Sequence, residues 1–122
     1  TYGDLELALS SSRDSTYHQN DNLFKILLSH NPAHWDKEVS HQTNIGLTLS
    51  GHTHAMQVET EIFGWRWSPA KYRYEHWGGY FERLNDNGQP VRLYVNIGAG
   101  EVGLPSRLFR AYPEITLLTL HN

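Results

Sequence analysis

Cysteine is absent from this chain of 122 residues, which excludes disulfides and thiolate zinc sites and leaves the redox compartment undecided. Long apolar runs are absent too. No stretch approaches the ~20 residues that a membrane span needs, and no signal-peptide pattern opens the chain. Basic excess is missing: 10 Lys and Arg stand against 13 Asp and Glu, a net charge of −3 with the 8 His counted neutral. No positive field is available to hold nucleic acid, so no nucleic-acid partner is expected. No Gly-x-Ser-x-Gly elbow occurs, which leaves a serine hydrolase without support. An initiating Met is missing as well; the chain starts at Thr1, as an internal piece of a longer protein would.

What is present is an ordinary globular composition, 39% hydrophobic with 12% aromatic, enough for a modest core in one domain over residues 1–122. Asp4 stands where it would cap a short helix over Leu5 to Leu9, and the polar stretch from Ser10 to Asn22 reads as a loop. Phe24 to Ser29 and Ile45 to Ser50 read as buried strands. Between them, Asn31 to Val39 reads as a helix with Pro32 in its first turn, so the segment has the length of a parallel crossover. Val58 to Trp67 alternates imperfectly and leads into an aromatic, basic stretch expected to be irregular and to cover the sheet edge. The turn signal Asn85-Asp86-Asn87-Gly88 joins strands over 80–84 and 91–95 into a hairpin, and Glu114 to Leu120 reads as a last strand. The class is α/β with a strand-rich second half.

The residues that carry chemistry sit at strand ends. Leu47-Thr48-Leu49-Ser50 runs into Gly51-His52-Thr53-His54, and Ile26-Leu27-Leu28-Ser29 ends at His30. Neutral imidazole is a common ligand of first-row ions, and the carboxyl ends of strands are where open α/β sheets place their ligands. One such His is best read as a satisfied turn residue. Three, each just past an apolar strand, point to a metal site. His52 and His54 could share one face or splay toward two ions. Gly98-Ala99-Gly100-Glu101-Val102-Gly103 has dinucleotide-fingerprint spacing, but Pro105 follows where that fingerprint must open a helix, so an irregular glycine loop is expected. Glu59, Glu61, Glu101 and Glu114 lack pair spacing and read as surface or capping groups. The patch Trp65, Arg66, Trp67, Lys71, Tyr72, Arg73, Tyr74, His76 and Trp77 mixes rings with cations, so the alternative functions are a polyanion-binding module or an interaction domain with structural histidines.

Ile26-Leu27-Leu28-Ser29-His30-Asn31-Pro32 and Leu47 to His54 resemble the last two metal motifs of calcineurin-like metallophosphoesterases. The tail, Tyr94 to Gly100 and then Gly103-Leu104-Pro105-Ser106-Arg107 to Leu117, resembles one bacterial branch of that family, in which an N-terminal membrane segment often precedes the catalytic domain. The resemblance covers nearly the whole chain. It implies the C-terminal half of a metallophosphoesterase β-sandwich flanked by helices. The family's Asp-x-His, Gly-Asp and Gly-Asn-His segments do not occur here, so they would lie in a missing N-terminal half, with the catalytic groups. His30 and His52 would then bind one ion and His54 the other, with Asn31, His34 and Arg107 beside the substrate. The implied cofactors are two divalent ions (Mn, Zn or Fe) in the parent, at most one of them weakly held by this piece alone. The implied activity is hydrolysis of a phosphate mono- or diester, on a phosphorylated small molecule or lipid-like substrate, by a membrane-tethered parent. The piece itself is expected to be inactive and to self-associate. Ala55-Met56-Gln57 stands where relatives often have Gly-Gly-Gln, narrowing backbone freedom beside the site.

Overall fold

The computed structural model describes residues 4–11, 23–103 and 105–121. The Asp4 carboxylate accepts from the Leu7 amide at 2.9 Å and starts helix α1, Leu5–Ser11. The helix thus runs two residues into the expected loop, and the rest of that loop lies outside the described residues.

Four strands form a mixed sheet in the order β1-β2-β6-β5. Strand β1 (Lys25–Ser29) pairs in parallel with β2 (Ile45–Ser50), which pairs in parallel with β6 (Pro90–Val95); β5 (Gly79–Leu84) closes the hairpin antiparallel to β6. The β1–β2 crossover is helical, as expected, but is wound as a π-helix at Trp35–Val39 and continues into α2, Ser40–Gln42. Its apolar side, Trp35 and Val39, packs on Ile45, Val91, Leu93 and Val95, with Leu27 and Phe81 against them. This is the main core. The β5–β6 turn also matches expectation: the Asn85 Oδ1 accepts from the amides of Asn87 (3.0 Å) and Gln89 (2.9 Å).

Three expectations need correction. Strand β1 is not buried. It lies at the sheet edge with one face on the core, so Leu28 on the opposite face is 78% exposed. Residues 58–67 are more regular than their pattern suggests, whereas in the aromatic stretch beyond them only Pro69–Tyr72 forms a helical turn and residues 73–78 are irregular, as expected. Strand β3 (Val58–Ile62) turns back through Phe63 and Gly64 into β4 (Trp65–Trp67), and β7 (Leu108–Phe109) pairs on the other side of β3. Both turn residues have positive φ, 50° and 83°, which suits a two-residue hairpin loop and disguises it because a Phe holds one of the places. Glu114 to Leu120 is no strand: among the described residues nothing forms a ladder with it, and side chains hold it instead. Tyr94 donates to the Glu114 carboxylate, Glu114 accepts from the Ile97 amide at 3.0 Å, and Asn96 donates to Thr116 at 2.8 Å.

Candidate metal centre

The sheet register sets the site. Ser29 pairs with Ser50 and Ser50 with Val95, so β1, β2 and β6 deliver the chain to one level at their carboxyl ends. There the backbone is stitched across: the Gly51 amide donates to the His30 carbonyl at 3.2 Å, the Ser50 hydroxyl to the same oxygen at 3.1 Å, and the Asn96 amide to the Ser50 carbonyl at 2.9 Å. His52, at φ 72°, turns its ring onto that of His30, with centroids 4.5 Å apart. Tyr74 packs edge-on to His52 at 5.7 Å.

His54 opens a left-handed turn, with φ of 48° at His54, 49° at Ala55, 46° at Met56 and 58° at Gln57. Surrounding side chains hold this costly backbone. Ser68 donates to the Ala55 carbonyl at 2.6 Å, and buried Thr53 donates to the Trp77 carbonyl at 2.5 Å. Buried Gln57 reaches the glycine loop, donating to the Ser106 carbonyl at 3.1 Å and accepting from the Val102 amide at 2.6 Å. The loop in turn comes close to His54. A Cβ on Gly98, at φ 75°, would lie 3.3 Å from its ring, so the glycine expected to need special backbone freedom does need it.

His54 Nδ1 lies 3.4 Å from the guanidinium of Arg107. That guanidinium also donates to the carbonyls of Ile97 (3.0 Å), Gly100 (2.6 Å) and Ala111 (3.2 Å), so Arg107 ties the glycine loop and the tail to His54. Asn31 accepts from the Ala33 amide at 3.0 Å and caps the crossover helix. His34 is buried, with Nδ1 3.1 Å from the Ser29 hydroxyl and Nε2 3.3 Å from the Glu38 carboxylate. Its nitrogens are therefore engaged within its own corner of the fold.

The three strand-end histidines lie at one end of the sheet but do not close on a single point. Among the described residues, the group of three metal-ligating side chains whose ligand atoms lie within 4.8 Å of one another is a different one: Asp36, Glu75 and His76. His30 and His52 form a pair, and His54 stands apart on the Arg107 side. The His52 pKa is lowered, chiefly by burial and then by the neighbouring His30, His54 and Arg73, which favours the neutral imidazole that binds metal. An imidazole in this form fits a divalent ion. Sequence reasoning missed Thr53, Gln57 and Tyr74 as supports. Thr53 had a signal, its place between two histidines; Tyr74 had none beyond being aromatic. Nor is the aromatic stretch one basic face. Arg66 is bound to Glu59 at 2.8 Å, and Glu59, expected at the surface, is buried in that pair.

The chain is similar to a protein of Bacillus subtilis (strain 168) named as the uncharacterized metallophosphoesterase YkuE, with 38% identity over 102 residues. The chain is a homologue of a metallophosphoesterase. The match takes in 84% of this chain and 32% of that relative, so the chain spans about a third of its length, consistent with a C-terminal piece of a metallophosphoesterase. No family model matches the chain, and no solved structure matches it. No described helix is long and apolar enough to cross a membrane.

Proposed function

We propose that this chain supplies one wall of the metal centre of a phosphohydrolase, the C-terminal half of a metallophosphoesterase sandwich whose other half carries the remaining ligands and the catalytic groups. The observation that carries the reading is the pairing of His30 with His52 at the carboxyl ends of adjacent parallel strands, with His54 held two residues further on. His30 and His52 would hold one divalent ion and His54 a second. Bound there, such ions supply Lewis acidity and an activated water for attack on a phosphate mono- or diester. The chain's own residues orient and support. The stitched carbonyl of His30 fixes the first pair, Thr53 locks the turn between His52 and His54, and Arg107 sets His54 while holding the loop that borders the site. Asn31 lies next to His30 at the mouth of the crossover, where a phosphorylated or lipid-like substrate would pass, and Arg107 places a cation 3.4 Å from His54 Nδ1. His34 acts behind this surface, through Ser29.

In this reading the 122 residues alone are inactive, and the open face of β1 leads them to self-associate. The test is hydrolysis of bis-p-nitrophenyl phosphate with added Mn²⁺ or Zn²⁺, comparing this chain with the longer protein that contains it. The longer protein should turn over and lose at least 10²-fold on His52→Ala, while the chain alone stays silent. Turnover by the longer protein that persists in His52→Ala contradicts the assignment, and turnover by the chain alone shows that the site is more complete than proposed.

A further inference from the structure

We infer that Asp36, Glu75 and His76 form a second cation site, separate from the strand-end histidines, which takes one divalent first-row ion through two carboxylates and an imidazole. Asp36 comes from the first turn of the π-helix, and Glu75 and His76 from the connection into β5. The His76 ring is fixed from two sides, edge-on to Phe81 at 4.3 Å and to Trp35 at 5.2 Å. That clamp aims Nδ1 at Asp36 Oδ1, 2.7 Å away.

The two atoms lie at ion-pair distance. Both atoms are shut off from solvent, yet neither has a hydrogen-bond partner, so they face each other without the alignment a shared proton needs. Two buried lone-pair atoms in that relation are costly unless a third group binds both. A cation answers that cost. The three ligand atoms lie within 4.8 Å of one another, and the 2.7 Å contact would open to the roughly 3.3 Å between donors around a tetrahedral ion with ~2.0–2.1 Å bonds. Oxygen and imidazole donors suit Zn²⁺, Mn²⁺ or Fe²⁺, and exposed Glu75 leaves the outer side of the site open to water.

The site borders the first one without sharing a residue with it. Within residues 74–77, Tyr74 packs on His52 and the Trp77 carbonyl takes the Thr53 hydroxyl, while Glu75 and His76 face Asp36. An ion bound there would pin the segment that backs the strand-end histidines to the crossover helix.

The test is a Co²⁺ titration followed by its visible d–d absorption, on the chain carrying His30→Ala, His52→Ala and His54→Ala together. One equivalent should still bind. Adding Glu75→Gln should weaken it at least tenfold, and adding Asp36→Asn should abolish it. Glu75 is exposed, so its substitution leaves folding intact, and the otherwise unaltered chain with Glu75→Gln alone should weaken the same single Co²⁺ equivalent. Failure of the triple variant to bind Co²⁺ while it remains folded, or binding indifferent to Glu75→Gln, overturns the site. Either result leaves the assignment of the strand-end histidines standing, because that rests on phosphodiester turnover.

Discussion

At the scale of single residues, the turn after His52-Thr53-His54 shows how the site is held in an unfavourable backbone. Met56 and Ala55 both take left-handed angles, with φ of 46° and 49°. Such a conformation costs a residue with a side chain roughly 1–2 kcal/mol, while glycine adopts it freely but gives up roughly 0.5–1 kcal/mol of chain entropy. The first effect wins at Met56, whose side chain is partly exposed and fills little of the core. Met56→Gly should therefore raise stability by about 0.5–1 kcal/mol, seen as a higher midpoint in thermal unfolding. A lower midpoint would mean that the methionine's packing outweighs its backbone. At Ala55 the balance differs, because its methyl is fully buried beside Ala70, Trp77 and Ile97. The sequence showed a non-glycine pair at these places but not the handedness, which is a property of the backbone that Ser68, Thr53 and Gln57 enforce from elsewhere in the chain.

At the scale of elements, periodicity served where burial is periodic and failed where it is not. Strand β2 and the β5–β6 hairpin were legible because apolar runs and an Asn-rich turn coincide. Strand β1 was legible as a strand but not as an edge, since Ile26 and Leu28 are apolar and exposed all the same. The β3–β4 hairpin was hidden because its stability comes from a charge pair rather than an apolar face. Arg66 on β4 meets Glu59 on β3, whose side chain is 5% exposed, and stacks over Trp77 at 5.0 Å. The bond to Glu59 holds the guanidinium above its ordinary pKa, against the opposing effect of burial. Arg66→Ala would leave the Glu59 carboxylate buried without its partner, at a cost of roughly 1–3 kcal/mol, since Arg66 itself is half open to water. Urea denaturation should show that loss, with Arg66→Lys recovering part of it. An unchanged midpoint would mean that Glu59 has another route to solvent or to a donor.

At the scale of the whole molecule, the candidate site was legible as a set of strand ends and illegible as a shape. That His30, His52 and His54 lie at one end of the sheet follows from two parallel strands ending in step, which length and pattern alone could suggest. That His30 and His52 pair while His54 turns toward Arg107 depends on the left-handed turn and on a tail that reaches back across β6, and neither leaves a local mark in the sequence. The Asp36, Glu75 and His76 cluster escaped notice for the same reason, as its members come from segments 39 residues apart whose meeting is decided by the core around Trp35. Metal binding by the strand-end imidazoles is the central claim. Anomalous scattering from crystals of the longer protein grown with Mn²⁺ would test this most directly. One peak is expected within bonding distance of nitrogens of both His30 and His52 and a second at His54, beside the separate one at Asp36, Glu75 and His76. Peaks elsewhere, with these three imidazoles free of metal at saturating Mn²⁺, would contradict it.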